Sequence, residues 1–256
     1  MNTASRPDGV SATDLPPTDL PGAIPTLNGT GFMLEALDEY ALAFIDAAAH
    51  SPGEVLDIGC AYGVATLAAL ERGARVCASD MERAHLALLE QRVPTGQRAR
   101  LRTQVGVLPD IDFPPGSFDA ILASRVLHFL DGETLPRAVA AIARWLRPGG
   151  RVFLVADTPY MPSWSEIVPQ YEDRKRAGAR WPGYIADFRR YTAKRADGLG
   201  PQFLNTLDPD LLARECEAAG LVVERAGWFG MQRLGPVSSG REHAGCIARR
   251  PAASVV

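Results

Sequence analysis

Residues 55–63 read Val-Leu-Asp-Ile-Gly-Cys-Ala-Tyr-Gly, and this stretch decides the fold of the chain. Its apolar residues form a run of the kind that is buried on both faces of a parallel strand. Gly59 and Gly63 lie where the backbone must turn sharply and where a ligand can approach without meeting a Cβ atom. We therefore predict a buried strand followed directly by a ligand-binding turn.

The residues after this turn complete one strand–helix–strand unit. Residues 64–72 are good helix formers, and Gly73 is a natural helix stop. Residues 75–79 predict a short second strand, which ends at Asp80. A carboxylate in that place accepts hydrogen bonds from the two hydroxyls of a ribose. The unit therefore predicts a pocket for a nucleoside.

Asp57 distinguishes between two classes of nucleoside cofactor. A dinucleotide-binding loop has three glycines in G-x-G-x-x-G spacing, which let a pyrophosphate rest on a helix N-terminus. Here Ala61 lies between the two glycines, and Asp57 would repel a pyrophosphate. The positively charged ammonium and sulfonium groups of S-adenosylmethionine suit this carboxylate, so a nicotinamide oxidoreductase is disfavoured.

Residues 54–158 resemble a class I S-adenosylmethionine-dependent methyltransferase of the small-molecule type. The shared motifs are residues 55–63, Asp80, residues 113–121 and residues 145–152, in the family's order. The resemblance implies a doubly wound, Rossmann-like α/β fold with a seven-stranded sheet and an antiparallel last strand. It also implies S-adenosyl-L-methionine as the cofactor.

The resemblance implies a set of cofactor-binding residues at the strand ends. They are Asp57, Gly59, Cys60, Ala61, Gly63, Asp80, Met81, Val107, Leu108 and Ser124. Val107 departs from the family, which often has an acidic residue there that binds the adenine amino group. Adenine recognition then falls to backbone groups and apolar contacts, or to Asp110 if the alignment is shifted.

The composition favours a single cytoplasmic enzyme domain, and we expect it to be a monomer or a homodimer. With 256 residues, 46% of them hydrophobic, the chain can bury a full core. A net charge of −3 argues against nucleic-acid binding. The four cysteines have no paired spacing, which indicates reduced thiols rather than a disulfide or zinc framework. We also expect neither a membrane span nor a secretory leader.

The chain divides into four parts. Residues 1–27 are rich in Pro, Thr and Asp and are predicted to be disordered or loosely draped, before a single domain over residues 28–256. Apolar residues at helical spacing predict one cap helix over residues 31–49, within segment 28–50. Predicted strands lie at 54–58, 75–79, 101–105, 118–123, 150–156, 221–229 and 243–248, and predicted core helices at 64–72, 82–92 and 133–146.

The segment after the fifth core strand breaks this alternation. Residues 157–206 concentrate aromatic side chains and basic ones, Lys194 and Arg195 among them. We predict an α-helical lid inserted over the ligand edge of the sheet, and the alternative is a surface helical pair. The excess of basic residues in this segment indicates an acceptor that carries a carboxylate or a phosphate. A helix is predicted to start at Asp208-Pro209. The resemblance implies a seventh strand that lies antiparallel between the fifth and sixth strands, and residues 244–248 are the best candidate for it.

His128 is the candidate general base, because it follows the fourth strand and histidine titrates near neutral pH. The alternative is a histidine that packs beside adenine. His243 is less favoured because it lies in the last hairpin, and His50 and His85 are predicted to be surface residues. The candidate acceptor-binding residues are Tyr40, Asp157, Tyr160, Trp164 and Tyr184. No metal cluster stands out, so a metal-dependent mechanism is disfavoured.

The leading hypothesis is methyl transfer to an oxygen, nitrogen or carbon atom of a small organic acceptor, such as a secondary metabolite. This is an in-line displacement, in which alignment and desolvation supply most of the catalysis. The first alternative is an enzyme that uses the bound sulfonium for a dehydration or ring closure. A non-catalytic module that only holds the cofactor is the second alternative.

Overall fold

The computed structural model describes residues 15–18, 22–192, 201–231 and 237–252. Its centre is a seven-stranded sheet, and the strands of this sheet are β3 (Glu54–Ile58), β4 (Arg75–Asp80), β5 (Leu101–Val105), β6 (Phe118–Ser124), β7 (Leu146–Asp157), β10 (Val222–Phe229) and β11 (His243–Arg249). Their order across the sheet is β10-β11-β7-β6-β3-β4-β5. Strand β11 runs antiparallel to both β7 and β10, and this confirms the predicted doubly wound sheet with an antiparallel last strand.

Helices cover both faces of the sheet. They are α1 (Glu39–Ala49), α2 (Val64–Glu71), α3 (Arg83–Arg92), α4 (Thr134–Trp145), α5 (Val168–Arg176), α6 (Arg189–Thr192) and α7 (Pro209–Ala218). One core cluster packs Phe44 of α1 and Leu70 of α2 against the sheet, and the other packs Ile142 of α4 and Leu212 of α7. Helix α7 begins at the predicted cap, where the Asp208 carboxylate accepts a hydrogen bond from the Leu211 N–H at 2.8 Å.

The N-terminal region differs from its prediction. Strand β1 (Ala23–Pro25) pairs with β2 (Phe32–Leu34), so residues 23–25 are ordered and the helix predicted over 31–49 is wrong in its first half. The helix begins only at Glu39, because the Asp38 carboxylate accepts hydrogen bonds from two N–H groups of its first turn. The rest of the predicted loose segment, residues 1–14 and 19–21, lies outside the described residues.

The segment between β7 and α7 is only partly helical. It contains α5, the short α6 and a two-stranded sheet of β8 (Tyr184–Ile185) and β9 (Leu204–Asn205). Apolar residues of this segment form a separate cluster, which also includes Met231. The members from the segment are Met161, Trp164, Ile167, Ile185, Phe188 and Leu204. Residues 193–200, which include Lys194 and Arg195, lie outside the described residues. In the described part of the chain, no helix is long and apolar enough to cross a membrane.

Candidate active site

A cavity of about 930 Å³ opens at the carboxyl edge of the parallel strands. It lies at the point where the strand order reverses, between β3 and β6, and this is where open α/β sheets bind ligands. The ends of β3, β4, β6 and β7 and the start of β11 line it, together with N-terminal residues and the segment after β7. The volume is near the upper end of the roughly 300–1,000 Å³ found for ligand pockets, so it suits two ligands side by side.

The first motif forms the turn that the sequence predicts. Gly59 has a φ of 67°, and a Cβ there would lie 2.4 Å from the Val126 side chain, so glycine is required. Ala61 also has a positive φ of 46°, which is an unfavourable conformation for alanine. Gly63 does not line the cavity; it precedes α2 with a φ of 78° and packs under Leu89.

Asp57 lies on the cavity wall with only 3% of its surface exposed. Its Oδ2 atom accepts a hydrogen bond from the Thr66 hydroxyl at 2.7 Å. Burial raises the pKa of Asp57 to about 6, and the nearby Asp80 contributes to the shift. A positively charged ligand beside Asp57 would relieve this cost of ionisation.

Asp80 is linked to a histidine that the sequence did not reveal as a site residue. Its Oδ2 accepts from the Ala61 N–H at 2.9 Å, and its Oδ1 accepts from the Glu82 N–H at 2.8 Å and lies 3.0 Å from His85 Nδ1. His85 Nε2 accepts from the Leu27 N–H at 2.9 Å, so the Nδ1 atom carries the proton. His85 is 1% exposed, and the prediction that it is a surface residue is wrong. The carboxylate keeps about one free acceptor direction for a ribose hydroxyl.

Apolar residues form the wall beyond Asp80. Met81, Val107 and Leu108, which the sequence predicts to be cofactor-binding residues, line the cavity there, whereas Asp110 is exposed and outside the lining. Ser124 and the Cys60 thiol also line the cavity. Burial raises the pKa of Cys60 well above its usual value, so this thiol stays protonated and unreactive.

The charges around the cavity favour a cationic ligand. Among the described residues that line it, Asp38, Asp57, Asp80 and Asp157 are acidic and Arg125 is the single Lys or Arg. Arg125 Nη1 donates to Asp38 Oδ2 at 2.9 Å, which neutralises one of these carboxylates. The remaining surplus of negative charge attracts an ammonium and a sulfonium group. The residues present therefore fit S-adenosylmethionine.

His128 lines the cavity, and its hydrogen bond to the backbone defines which ring nitrogen carries the proton. Its Nδ1 accepts from the backbone N–H of Asp157 at 3.1 Å, so the neutral ring has its proton on Nε2. Burial lowers the pKa of His128 to about 4. At neutral pH the ring is therefore a hydrogen-bond donor through Nε2 and has no free lone pair with which to take a proton.

Asp157 and His243 form a second histidine–carboxylate pair. They face each other across the β7–β11 ladder, and His243 Nδ1 lies 3.0 Å from Asp157 Oδ1. Burial opposes the ionisation of Asp157, but nearby His128, the hydrogen bond from His243 and the Arg125 guanidinium hold its pKa below the usual range. His243 lines the cavity and is 1% exposed.

The acceptor end of the cavity is aromatic and apolar. Among the predicted acceptor-binding residues, Asp157 and Trp164 line the cavity. The wall around them consists of Phe129, Met161, Phe188, Tyr191, Leu204 and Met231. The Trp164 ring packs 5.1 Å from that of Phe188, and its indole N–H donates to the Thr158 carbonyl at 2.9 Å, so this wall is held rigidly.

Three predicted acceptor-binding tyrosines lie elsewhere. Tyr40 is buried against Phe229 and Gly245 and does not line the cavity. Tyr160 donates to Glu172 and packs edge-to-face against Trp228, and Tyr184 pairs with Asn205 in the small sheet. Their positions depend on tertiary contacts, which the concentration of aromatic residues in the sequence does not define.

The described basic residues of the insert also bind away from the cavity. Arg174 donates to the Tyr184 carbonyl, and Lys175 pairs with Asp208 at 2.6 Å. The cavity lining contributed by the described part of the insert contains no Lys or Arg. The hint of an acceptor with a carboxylate or phosphate therefore has no support among these residues.

Comparison with known proteins agrees with this geometry. Residues 55–150 match the family model for a methyltransferase domain. An uncharacterised methyltransferase of Mycobacterium tuberculosis is 31% identical over 155 residues, which is 59% of this chain and 60% of that protein. The aligned region thus spans less than two thirds of this relative.

Solved structures show the same fold. A Methanosarcina mazei S-adenosylmethionine-dependent methyltransferase has a TM-score of 0.62 at 16% identity, over 84% of this chain and 99% of that one. The 1,6-didemethyltoxoflavin N1-methyltransferase of Burkholderia thailandensis, solved with its substrate and S-adenosylhomocysteine, has a TM-score of 0.57 at 22% identity. This likeness covers 83% of this chain and 77% of that one.

Proposed function

We propose that the protein is a class I, S-adenosylmethionine-dependent methyltransferase that methylates a small organic molecule in this cavity; the match of residues 55–150 to the family model for a methyltransferase domain supports this. The observation that carries the proposal is the shared cavity itself. It joins the cation-attracting carboxylates Asp57 and Asp80 to an apolar, aromatic wall around Trp164. The acceptor atom is an oxygen, nitrogen or carbon atom of a molecule that such a wall holds.

The protein contributes binding, orientation and exclusion of water. When bound, S-adenosylmethionine supplies a methyl group activated by its sulfonium. Asp80 orients the ribose, Asp57 balances the positive charge, and Met81 and Val107 contact the adenine. The Nε2–H group of His128 donates a hydrogen bond into the cavity. The aromatic wall holds the acceptor in line with the methyl group, and this alignment supplies most of the rate enhancement.

We place the protein in the cytoplasm, as a monomer or homodimer that binds neither nucleic acid nor membranes. Its four cysteines support this location, because all are buried free thiols. The described part of the insert supports the role of a lid, because Met161, Trp164 and Phe188 cover the acceptor end of the cavity.

Calorimetric titration with S-adenosylmethionine and S-adenosylhomocysteine tests the cofactor site. We expect micromolar binding of both, and Asp80→Ala should weaken it by about 10- to 100-fold, since a hydrogen bond to a charged group contributes about 1.5–3 kcal/mol. Asp46→Ala is the matched control, because this carboxylate is exposed on α1. Unchanged affinity in a folded Asp80→Ala variant would contradict the site.

Mass spectrometry of an acceptor library then tests the reaction. We expect a product that is heavier by one methyl group, with S-adenosylhomocysteine released in equal amount. A product of unchanged or dehydrated mass, with the cofactor intact, would instead support the alternative in which the bound sulfonium promotes a cyclisation or dehydration.

A further inference from the structure

One histidine that lines the cavity has a ring nitrogen that takes no part in the hydrogen bonds of the described fold. His243 Nε2 is buried and has no hydrogen-bond partner among the described residues, although the ring is only 1% exposed. Buried polar atoms in proteins are almost always paired, so an unpaired one in a binding cavity indicates a ligand. Because the Nδ1 side of the ring contacts Asp157, Nε2 is the nitrogen left for a molecule in the cavity.

Asp157 determines which nitrogen of the neutral His243 ring carries the proton. A carboxylate only accepts hydrogen bonds, so the 3.0 Å contact requires the proton of the neutral His243 ring to be on Nδ1. The Nε2 atom then has a free lone pair. A carboxylate that fixes the tautomer of a histidine in this way is the arrangement that produces a general base in hydrolases.

Neighbouring groups hold the Asp157–His243 pair in this arrangement. Arg125 Nε forms an ion pair with Asp157 Oδ1 at 3.7 Å, and the Asp157 backbone N–H donates to His128, so both the carboxylate and the backbone of Asp157 are held in place. The neighbouring Glu242 carboxylate is engaged by Ser238 and Ser239. On the other side the Phe229 ring packs 5.1 Å from the imidazole.

We infer that His243, positioned by Asp157, is the general base of the reaction and that the acceptor is an aromatic hydroxyl compound. This rests on the proposed function and specifies its acceptor. The base is needed for a hydroxyl group, because a phenol, with a pKa of about 10 like that of tyrosine, is a weak nucleophile until it loses its proton. The rings of Phe129, Trp164 and Phe188 supply the matching aromatic wall.

The chemical step balances without any further reagent. His243 Nε2 takes the hydroxyl proton, and an oxygen lone pair forms the new bond to the methyl carbon. The carbon–sulfur bond breaks, and its electron pair stays on the sulfur. The products are an aryl methyl ether, S-adenosylhomocysteine and a protonated His243, which then releases its proton to the solvent.

The tautomer of His243 can be measured without any acceptor. The chain has four histidines, so ¹⁵N-labelled imidazole signals can be assigned with single Gln variants. In the neutral form of each ring we expect the proton on Nδ1 of His243 and on Nε2 of His128, and Asp157→Asn should remove the preference of His243. A neutral His243 ring protonated on Nε2 would overturn the inference.

Two phenols of different acidity test the role in catalysis. With phenol at pH 8, His243→Gln should lower kcat by about 100-fold or more, within the range for general base catalysis. With 4-nitrophenol, which is largely ionised at this pH, the loss should be only a few-fold. His50→Gln, on an exposed histidine, is the control and should match the parent protein.

The outcomes separate this inference from the proposed function. If the parent protein does not bind S-adenosylhomocysteine, the proposed function fails. If it binds but methylates neither phenol, or if His243→Gln loses the same factor on both, the assignment of base and acceptor is overturned. S-adenosylhomocysteine should bind His243→Gln as tightly as the parent, because His243 lies at the acceptor end.

Discussion

At the scale of single residues, the cavity contains two histidines whose hydrogen bonds give them opposite tautomers. A backbone N–H donates to Nδ1 of His128, whereas a carboxylate faces Nδ1 of His243. One ring is therefore a donor toward the cavity and the other an acceptor. The difference arises from the partner atom alone, and it assigns different chemistry to two residues of the same type.

Asp57 should make the affinity for S-adenosylmethionine depend on pH. Its pKa of about 6 means that it is ionised at pH 7 and mostly protonated at pH 5, where its attraction for the sulfonium is lost. By linkage, lowering the pH from 6 to 5 should weaken binding by about fivefold, because the ionised fraction of Asp57 falls from about one half to about one tenth. Calorimetry from pH 5 to 8 measures this effect.

The uncharged thioether of S-adenosylhomocysteine provides the comparison for Asp57. Its affinity should fall less over the same pH range, and Asp57→Asn should bind S-adenosylmethionine weakly at every pH. Parallel pH curves for the two ligands would show that Asp57 does not interact with the sulfonium.

The sequence predicts those site residues whose partners are close along the chain. Asp57, Gly59 and Asp80 belong to one strand–helix–strand unit, in which local geometry brings strand ends together. His243 owes its role to Asp157, which is 86 residues away in the sequence, and the Leu27 N–H, 58 residues away, fixes the tautomer with which His85 contacts Asp80. No local pattern marks such pairs.

At the scale of elements, the β1–β2 hairpin closes the cofactor end of the cavity. Ala23, Met33 and residues between them line the cavity, and the Leu27 N–H binds His85 behind Asp80. The Tyr62 hydroxyl donates to the Pro25 carbonyl at 2.7 Å, which ties the hairpin to the first motif. Cofactor binding and hairpin docking should therefore stabilise each other.

Tyr62→Phe tests this coupling. Loss of one hydrogen bond, worth about 0.5–1.5 kcal/mol, should weaken S-adenosylhomocysteine binding by about 2- to 10-fold. Hydrogen exchange of residues 22–34 should become faster at the same time. Tyr184→Phe is the control, since Tyr184 lies outside the cavity lining. Equal affinities in the two variants would contradict the coupling.

The sequence does not predict the hairpin, because the apolar residues of β2 continue the helical spacing of α1. Apolar residues at helical spacing continue from 32 to 45, so periodicity alone extends the helix too far. The Asp38 cap stops it, and the preceding apolar residues pair with β1 instead. By contrast, β3 and β5 have the predicted bounds, because local patterns define them: β3 is a short, mainly apolar run, and β5 alternates between half-buried and exposed residues.

At the scale of the whole molecule, a buried carboxylate joins the insert to the main domain. Asp208 is fully buried and caps α7, while its Oδ2 atom accepts from the Tyr171 hydroxyl at 2.5 Å and from Lys175 Nζ at 2.6 Å, both on α5. The aromatic wall of the acceptor end belongs to this same insert. The position of that wall relative to the cofactor end therefore depends on Asp208.

Asp208→Ala should both destabilise the protein and loosen the acceptor end. Loss of the helix cap costs about 1 kcal/mol, and loss of the charged hydrogen bond from Tyr171 costs about 1.5–3 kcal/mol more. For a chain of this size each kcal/mol lowers Tm by about 2–4 °C, so we expect a fall of about 5–15 °C. Affinity for S-adenosylhomocysteine should change little, because Asp208 does not line the cavity, whereas the KM for the acceptor should rise.

Asp210→Ala, which removes the exposed second partner of Lys175, is the control and should leave Tm within about 1 °C, as surface changes usually do. Equal Tm values for the two variants would mean that the insert docks without this link, and an unchanged KM in Asp208→Ala would mean that the wall keeps its position without it.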